Sequence, residues 1–264
     1  MTITKNQVVT VGVLALTLAT AAAVKLIFFP SVKEVYFAPG SQYLQQVPGG
    51  LMVIRPTHFA KSSRTGIFYA SISRDGKNVQ RMMGRCVSLR EMMAAAYRKN
   101  PSRVVLPSDA PTGAFDFIDT AADRPNEHLQ TAIRRKLGYV AEEDTRDMDV
   151  LALKVVDSSL PGMTPSRDDE KRNISFNGGK LNFTHMRVTA ITDGLEQMLK
   201  TPVVDKTDLT NFYDYSVTWD RQVQRKMQNA DTARDTVDGI LRGWGLELDA
   251  DTVPIKVLAV KRAN

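Results

Sequence analysis

The sequence predicts an α+β fold in which an N-terminal transmembrane helix is followed by a β-hairpin region and two repeated βαββαββ modules. Three observations carry that expectation. Residues 137–154 match residues 244–261 without a gap, pairing Gly138 with Gly245, Asp144-Thr145 with Asp251-Thr252 and Val150-Leu151-Ala152 with Val257-Leu258-Ala259. Upstream, Phe115-Asp116-Phe117 pairs with Tyr213-Asp214-Tyr215 at a smaller offset. Residues 8–24 form an uncharged run of Val, Leu, Ala and Thr between Lys5 and Lys25.

The apolar run continues through Leu26, Ile27, Phe28 and Phe29, so residues 7–29 are long enough to span a bilayer if Lys25 snorkels. The competing reading is a cleaved signal peptide, with Lys5 as a short basic region and Ala21-Ala22-Ala23 as a small-residue cleavage site. Either reading places the rest of the chain outside the cytoplasm, in the periplasm of a bacterium, anchored in the inner membrane or released. Composition is that of a folded protein, at 43% hydrophobic and 24% charged residues. The single cysteine, Cys86, excludes an intramolecular disulfide and reads as a small apolar residue beside Val87. A net charge of +6 invites nucleic acid as a partner. The cations are scattered, however, and no nucleic-acid motif accompanies them.

From this the chain divides into an anchor or signal segment (1–29), a tether with a first strand (30–62), a hairpin with the first module (63–160), a linker (161–175) and the second module (176–264). Leu51-Met52-Val53-Ile54-Arg55-Pro56 is a strand ended by proline. Asp75-Gly76 between two β-branched and aromatic runs is a hairpin turn. Ser88 with Glu91 three residues on forms a capping box, and Leu89, Met92, Met93, Ala96 and Tyr97 fall on one helical face. Two strands follow around residues 107–113. The helix at residues 126–136 carries Leu129 and Ile133 inward and places Arg134, Arg135 and Lys136 at its C-terminus, before Gly138. Residues 139–142 and 150–156 then read as two strands.

Residues 157–173 hold Pro161-Gly162, Pro165-Ser166 and a charge cluster, an exposed linker. The second module opens with Lys180-Leu181-Asn182-Phe183 and a helix carrying Ile191, Leu195, Met198 and Leu199. Its centre runs from Pro202 to Trp219: a short strand (Val203, Val204), a polar turn, and an aromatic strand. Residues between Asp220 and Asp235, with Arg221, Arg225 and Lys226, have no counterpart in the first module and read as an inserted loop. A helix around residues 236–244 follows.

The run Pro202-Val203-Val204-Asp205-Lys206-Thr207, with Tyr213-Asp214, Trp219, Gly245-Leu246-Glu247-Leu248 and Val257-Leu258-Ala259-Val260, resembles a soil-associated bacterial protein family catalogued as a domain of unknown function. Asp208 and Asn211 stand where that family usually has glycine, and both types tolerate positive φ. The resemblance implies export and no particular activity. Each module alone also resembles the short N-terminal domain of secretins and TonB-dependent receptors, which implies a periplasmic protein-interaction unit and not a catalyst.

The candidate site residues are Asp205, Lys206, Thr207, Tyr213, Asp214 and Trp219. Two functions are compatible with them. One is a membrane-anchored, periplasm-facing interaction or sensory module without catalysis, which receives a peptide or an envelope protein on exposed sheet edges. The other is an envelope hydrolase in which Asp205, Lys206 and the Tyr213-Asp214 pair supply acid, base and hydroxyl. A structural turn, with Asp205 accepting its own amides, is the plainer account of the first three. His58, His128 and His185 lie in unrelated contexts and form no metal-ligand spacing. Neither a phosphate loop, a nucleophile elbow nor a dinucleotide fingerprint occurs, so no cofactor or metal is expected.

Overall fold

The computed structural model describes residues 43–263 apart from 49, 60–64, 75–76, 122–123 and 168. In chain order the elements are β1 (Leu44–Val47), β2 (Gly50–Pro56), β3 (Gly66–Arg74), β4 (Lys77–Ser88), α1 (Leu89–Tyr97), β5 (Val104–Val105), β6 (Ala114–Asp119), α2 (Pro125–Leu137) and β7 (Tyr139–Val155). They continue with β8 (Met163–Pro165), β9 (Asn173–Asn177), β10 (Lys180–Met186), α3 (Val188–Leu199), β11 (Val203–Asp205), β12 (Tyr213–Thr218), α4 (Arg221–Gln228), α5 (Ala230–Gly243) and β13 (Leu246–Arg262). The chain folds into two compact units. One holds the described residues up to Met92 with Pro111–Gly138, the other Met93–Ala110 with everything from Tyr139 onward.

The first unit is built on a sheet of order β1-β2-β6-β4-β3. Its core includes Met52, Met82, Phe117, Leu129 and Ile133, all fully buried. Gly84 is required there, because a Cβ on it would lie 2.1 Å from the Phe117 ring. Ser88 and Glu91 form the reciprocal cap at the start of α1: the Glu91 carboxylate accepts from the Ser88 amide at 2.7 Å, and the Ser88 hydroxyl accepts from the Glu91 amide at 3.2 Å. Helix α2 ends on Gly138, whose φ of +73° is the left-handed stop glycine supplies at no steric cost. Inside this unit the Asp119 carboxylate meets the ring of buried His128 at 2.9 Å, which ties α2 to the end of β6.

The second unit has two four-stranded sheets, of order β8-β12-β10-β9 and β11-β7-β13-β5. In the latter, β7 and β13 run antiparallel over their full length, from Tyr139 opposite Arg262 to Val155 opposite Leu246. The short strands flank them in parallel, Val203 beside Leu151 and Val104 beside Leu258. Leu151 and Leu258 are equivalent in the sequence match, so this sheet has an internal pseudo-two-fold relating its two halves. One apolar core joins Val188, Ile191 and Leu195 of α3 to Val237 and Leu241 of α5 and to Leu153, Leu246, Tyr213 and Tyr215 of the sheets.

The expected architecture needs correction in three respects. The transmembrane helix expected over residues 7–29 lies outside the described residues, and among the described residues no helix is long and apolar enough to cross a membrane. The two strands expected to close each module are one continuous strand of 17 residues, β7 in one case and β13 in the other. Their polar middles, such as Asp144, Thr145 and Asp147, resemble turns in sequence, yet each side chain there is exposed and the backbone stays in the ladder. Nor do the units follow one another as self-contained repeated modules. The two units interleave along the chain, with β5 pairing β13 and β11 pairing β7 inside the second unit.

Candidate functional site

The Asp205 turn closes on itself. The carboxylate of Asp205 accepts from the Thr207 amide at 2.9 Å and the Thr207 hydroxyl at 2.6 Å, and that hydroxyl in turn accepts from the Leu209 amide at 3.2 Å. Asp208 takes the positive φ of +57° that the turn demands. Lys206 donates its amide to Leu153 and its ammonium to Asp251 at 2.6 Å. Asp205, Lys206 and Thr207 therefore sit together at the end of β11, with donors and acceptors spent on the fold.

Tyr213 and Asp214 lie on β12, in the other sheet, and point to opposite faces of it. Tyr213 is buried in the core. Asp214 accepts the His185 amide at 2.8 Å and the Ser166 hydroxyl. Burial by itself raises the Asp214 carboxyl, but the Ser166 hydroxyl and the His185 amide, joined by Glu170 and the His185 ring, hold it below the usual carboxylate range. The His185 ring stacks on Phe212 with centroids 4.0 Å apart, and the Arg187 guanidinium lies over the Phe212 ring, 4.7 Å from its centroid. Among the described residues Asp205 and Asp214 share no hydrogen bond, and no group of three metal-ligating side chains exists.

Trp219 is the candidate that reaches a cavity. Between the sheet and the helices of the second unit is an apolar groove of about 320 Å³. Its floor is Leu181 and Phe183 of β10 with Tyr215 and Val217 of β12. Ile191, Leu195 and Met198 of α3 form one wall and Val237, Ile240 and Leu241 of α5 the other, with Trp219, Trp244 and Met227 of α4 completing the lining. Phe183 and Tyr215 stack at 4.8 Å, and Tyr215 meets Trp244 at 4.9 Å. Burial pushes the Tyr215 hydroxyl up to about 12, with Arg172 pulling weakly the other way. The Trp244 indole donates to the Ser216 carbonyl at 3.2 Å, which fixes the ring against the sheet.

The floor does not end at β10. Ile174 stands opposite Phe183 and Phe176 opposite Leu181, so the apolar face continues onto β9. There it is open, Ile174 being 51% and Phe176 61% exposed, with Met198 at 42% on the nearby helix. The other face of the hairpin is polar: Asn173, Ser175 and Asn177 opposite Thr184, Asn182 and Lys180. Gly178 and Gly179, both at positive φ, form the two-residue turn between the strands. In such a hairpin the flanking pair Asn177 and Lys180 exchanges ladder hydrogen bonds, so Ile174 and Phe176 turn their N–H and C=O groups to the outer edge. Among the described residues no strand pairs with that edge.

From sequence, only the start of β9, residues 173–175, falls in the linker, no strand is expected there, and α4 reads as an inserted loop. The signal for β9 was present, in the alternation Ile174, Phe176, Leu181, Phe183 around a Gly-Gly turn. For α4 it was fainter: Asp220 caps the amides of Gln222 and Val223 at 2.8 Å, but only Val223 and Met227 are apolar along the helix.

A family described as "Protein of unknown function (DUF3738)" matches residues 90–263. No curated protein and no solved structure matches the chain.

Proposed function

Since the chain belongs to this family of unknown function, its role has to be argued from geometry, and we propose that the second unit is a non-catalytic binding module which receives an extended polypeptide segment on β9. The observation that carries the reading is the outer edge of β9. It presents the free backbone groups of Ile174 and Phe176 beside exposed apolar side chains that run into the groove. Natural sheets usually protect such an edge with Lys or Pro, and Asn173-Ile174-Ser175-Phe176-Asn177 has neither. A segment adding as a further strand gains main-chain hydrogen bonds from the edge and seats alternate side chains on Ile174, Phe176 and the groove. The looser resemblance of each half to the short domain of secretins and TonB-dependent receptors implies the same class of role, and the apolar run at residues 8–24 would take that role outside the cytoplasm.

The hydrolase reading finds less support, because Asp205 and Asp214 stand in different sheets and each is occupied by local donors. The test is a selection of random peptides against the full chain. Binders with apolar residues at every second position are expected, and their binding should slow hydrogen exchange at the Ile174 and Phe176 amides. Ile174→Pro removes an outward donor without touching the ladder and should abolish binding. Binders that leave these amides unprotected, or that ignore Ile174→Pro, would reject the edge as the site.

A further inference from the structure

Resting on the peptide-binding reading, we infer that the partner segment is acidic as well as apolar. The hairpin and its flanks, residues 171–187, carry Lys171, Arg172, Lys180 and Arg187 and no acid. Helix α4, whose Met227 lines the groove, carries Arg221, Arg225 and Lys226 and again no acid. All seven cations are exposed.

Elsewhere in the same unit Lys154 pairs with Asp249, Lys206 with Asp251, Lys261 with Glu142 and Arg262 with Asp109, while Lys200, Arg242 and Lys256 stand apart from one another in the chain, without an ion pair among the described residues. Among the described residues none of the seven is in an ion pair. Of the acids that flank these segments in the chain, Asp220 caps α4 and Glu170 lies beside Asp214. Helix α4 is also an addition. Between β12 and α5 the chain spends residues 219–229, whereas between the corresponding β6 and α2 of the first unit it spends only residues 120–124. The insertion thus brings three cations to a groove that borders an open strand edge. An apolar floor flanked by these seven cations, which outnumber the exposed Asp193 of α3 and Asp235 of α5 on its walls, fits a segment whose alternate side chains are apolar and whose remaining side chains are Asp or Glu. The free backbone groups of β9 favour a polypeptide over an anionic amphiphile, which has nothing to pair with them.

The experiment uses the full chain and three labelled peptides of about ten residues, long enough to cover a strand, sharing one alternating apolar pattern with Glu, Gln or Lys between. By fluorescence anisotropy at low salt the Glu peptide should bind at least about tenfold tighter than the Lys peptide, with the gap narrowing at high salt. Arg225→Glu combined with Lys226→Glu, both on an exposed face, should bring the Glu peptide down to the level of the Gln peptide. Equal binding of all three peptides overturns the charge inference and leaves the peptide reading standing. Binding of none overturns the peptide reading and this inference with it. Retention on phosphatidylglycerol vesicles without binding of any peptide assigns the cations to a lipid surface and likewise overturns it.

Discussion

Asp116 and Asp214 do the same work in their respective units. Each sits one residue along a strand from an aromatic on either side, and each accepts the amide of a bulged residue held at positive φ: Cys86 (φ +52°) at 3.0 Å and His185 (φ +53°) at 2.8 Å. The ladder slips at the same place, between Gly84 and Val87 against β6 and between Phe183 and Met186 against β12. A hydroxyl from the residue after a proline completes each set, Thr57 after Pro56 at 2.7 Å and Ser166 after Pro165. A bulge leaves its extra residue without a ladder partner, and the carboxylate supplies one.

The two positions should differ in cost. Asp116 is fully buried, also accepts the His58 amide at 3.0 Å and lies 3.8 Å from the Arg55 guanidinium. Asp116→Ala should therefore cost about 3–5 kcal/mol, since it breaks a buried ion pair and leaves several backbone and hydroxyl donors without their acceptor. Asp214→Ala, at a half-buried site, should cost about 1–3 kcal/mol. Urea unfolding of the two variants measures both. Asp214 adds a pH dependence whose sign follows from its lowered folded-state value. Its contribution is complete above the unfolded value of about 3.9 and is lost as pH falls through the lower folded one. Asp214→Asn should flatten that part of the acid limb, and an unchanged limb would show that the carboxylate does not hold the bulge.

Asp205 should behave as a turn residue. Asp205→Asn keeps an acceptor for the Thr207 amide and should stay within about 0.5 kcal/mol of the parent, while Asp205→Ala should lose about 1 kcal/mol. Peptide binding should survive both. Thermal melts rank the variants, and an Ala variant as stable as the parent would free Asp205 for another role.

What was legible in the sequence was local. The Asp205 turn, the Ser88–Glu91 cap and the stop at Gly138 each depend on residues a few positions apart, and the sequence match between residues 137–154 and 244–261 marks two strands that pair with one another. The long strands were not legible as single strands, because Asp144, Thr145 and Asp147 have the composition of a turn. Only the facing strand, more than a hundred residues away, keeps them extended. The groove was less legible still. Its walls come from α3, α5, β10, β12 and α4, and nothing in the periodicity of any one of them reveals that α3 and α5 leave space above Phe183 and Tyr215.

The Arg103–Glu196 pair was also invisible in sequence. Glu196 is 3% exposed and collects the Ser102 hydroxyl at 2.5 Å, the Arg103 guanidinium at 2.7–3.0 Å and the Val203 amide at 3.2 Å. The hydrogen bond to Glu196, working against burial, raises the Arg103 guanidinium further. It clamps α3 to β11 and to the turn before β5. Glu196→Ala should cost about 3–5 kcal/mol, because Arg103 is left without its counter-ion. Adding Arg103→Met should return a substantial part of that loss, the two changes being strongly non-additive. Additive losses in a double-mutant cycle would mean that the pair is not coupled.

Gly84 and Phe183 hold the same position relative to their bulges, and the residues opposite them, Phe117 and Tyr215, differ in consequence. In the first unit the Phe117 ring occupies the space a side chain at Gly84 would fill. In the second, Phe183 stacks beside Tyr215 and both rings form groove floor. Gly84→Ala should therefore destabilise by about 1–3 kcal/mol through overpacking, since a methyl 2.1 Å from a fully buried ring forces the ring or the strand to move. The conformation of Gly84 itself is not at issue, as it is not among the glycines at positive φ. Combining Gly84→Ala with Phe117→Leu should cost less than the sum of the two single changes, because the smaller side chain yields the space the methyl needs. Chemical denaturation of the four proteins in the cycle decides it. If Gly84→Ala proved neutral, or the double variant no better than additive, the close approach of Phe117 to Gly84 would not be what this position requires.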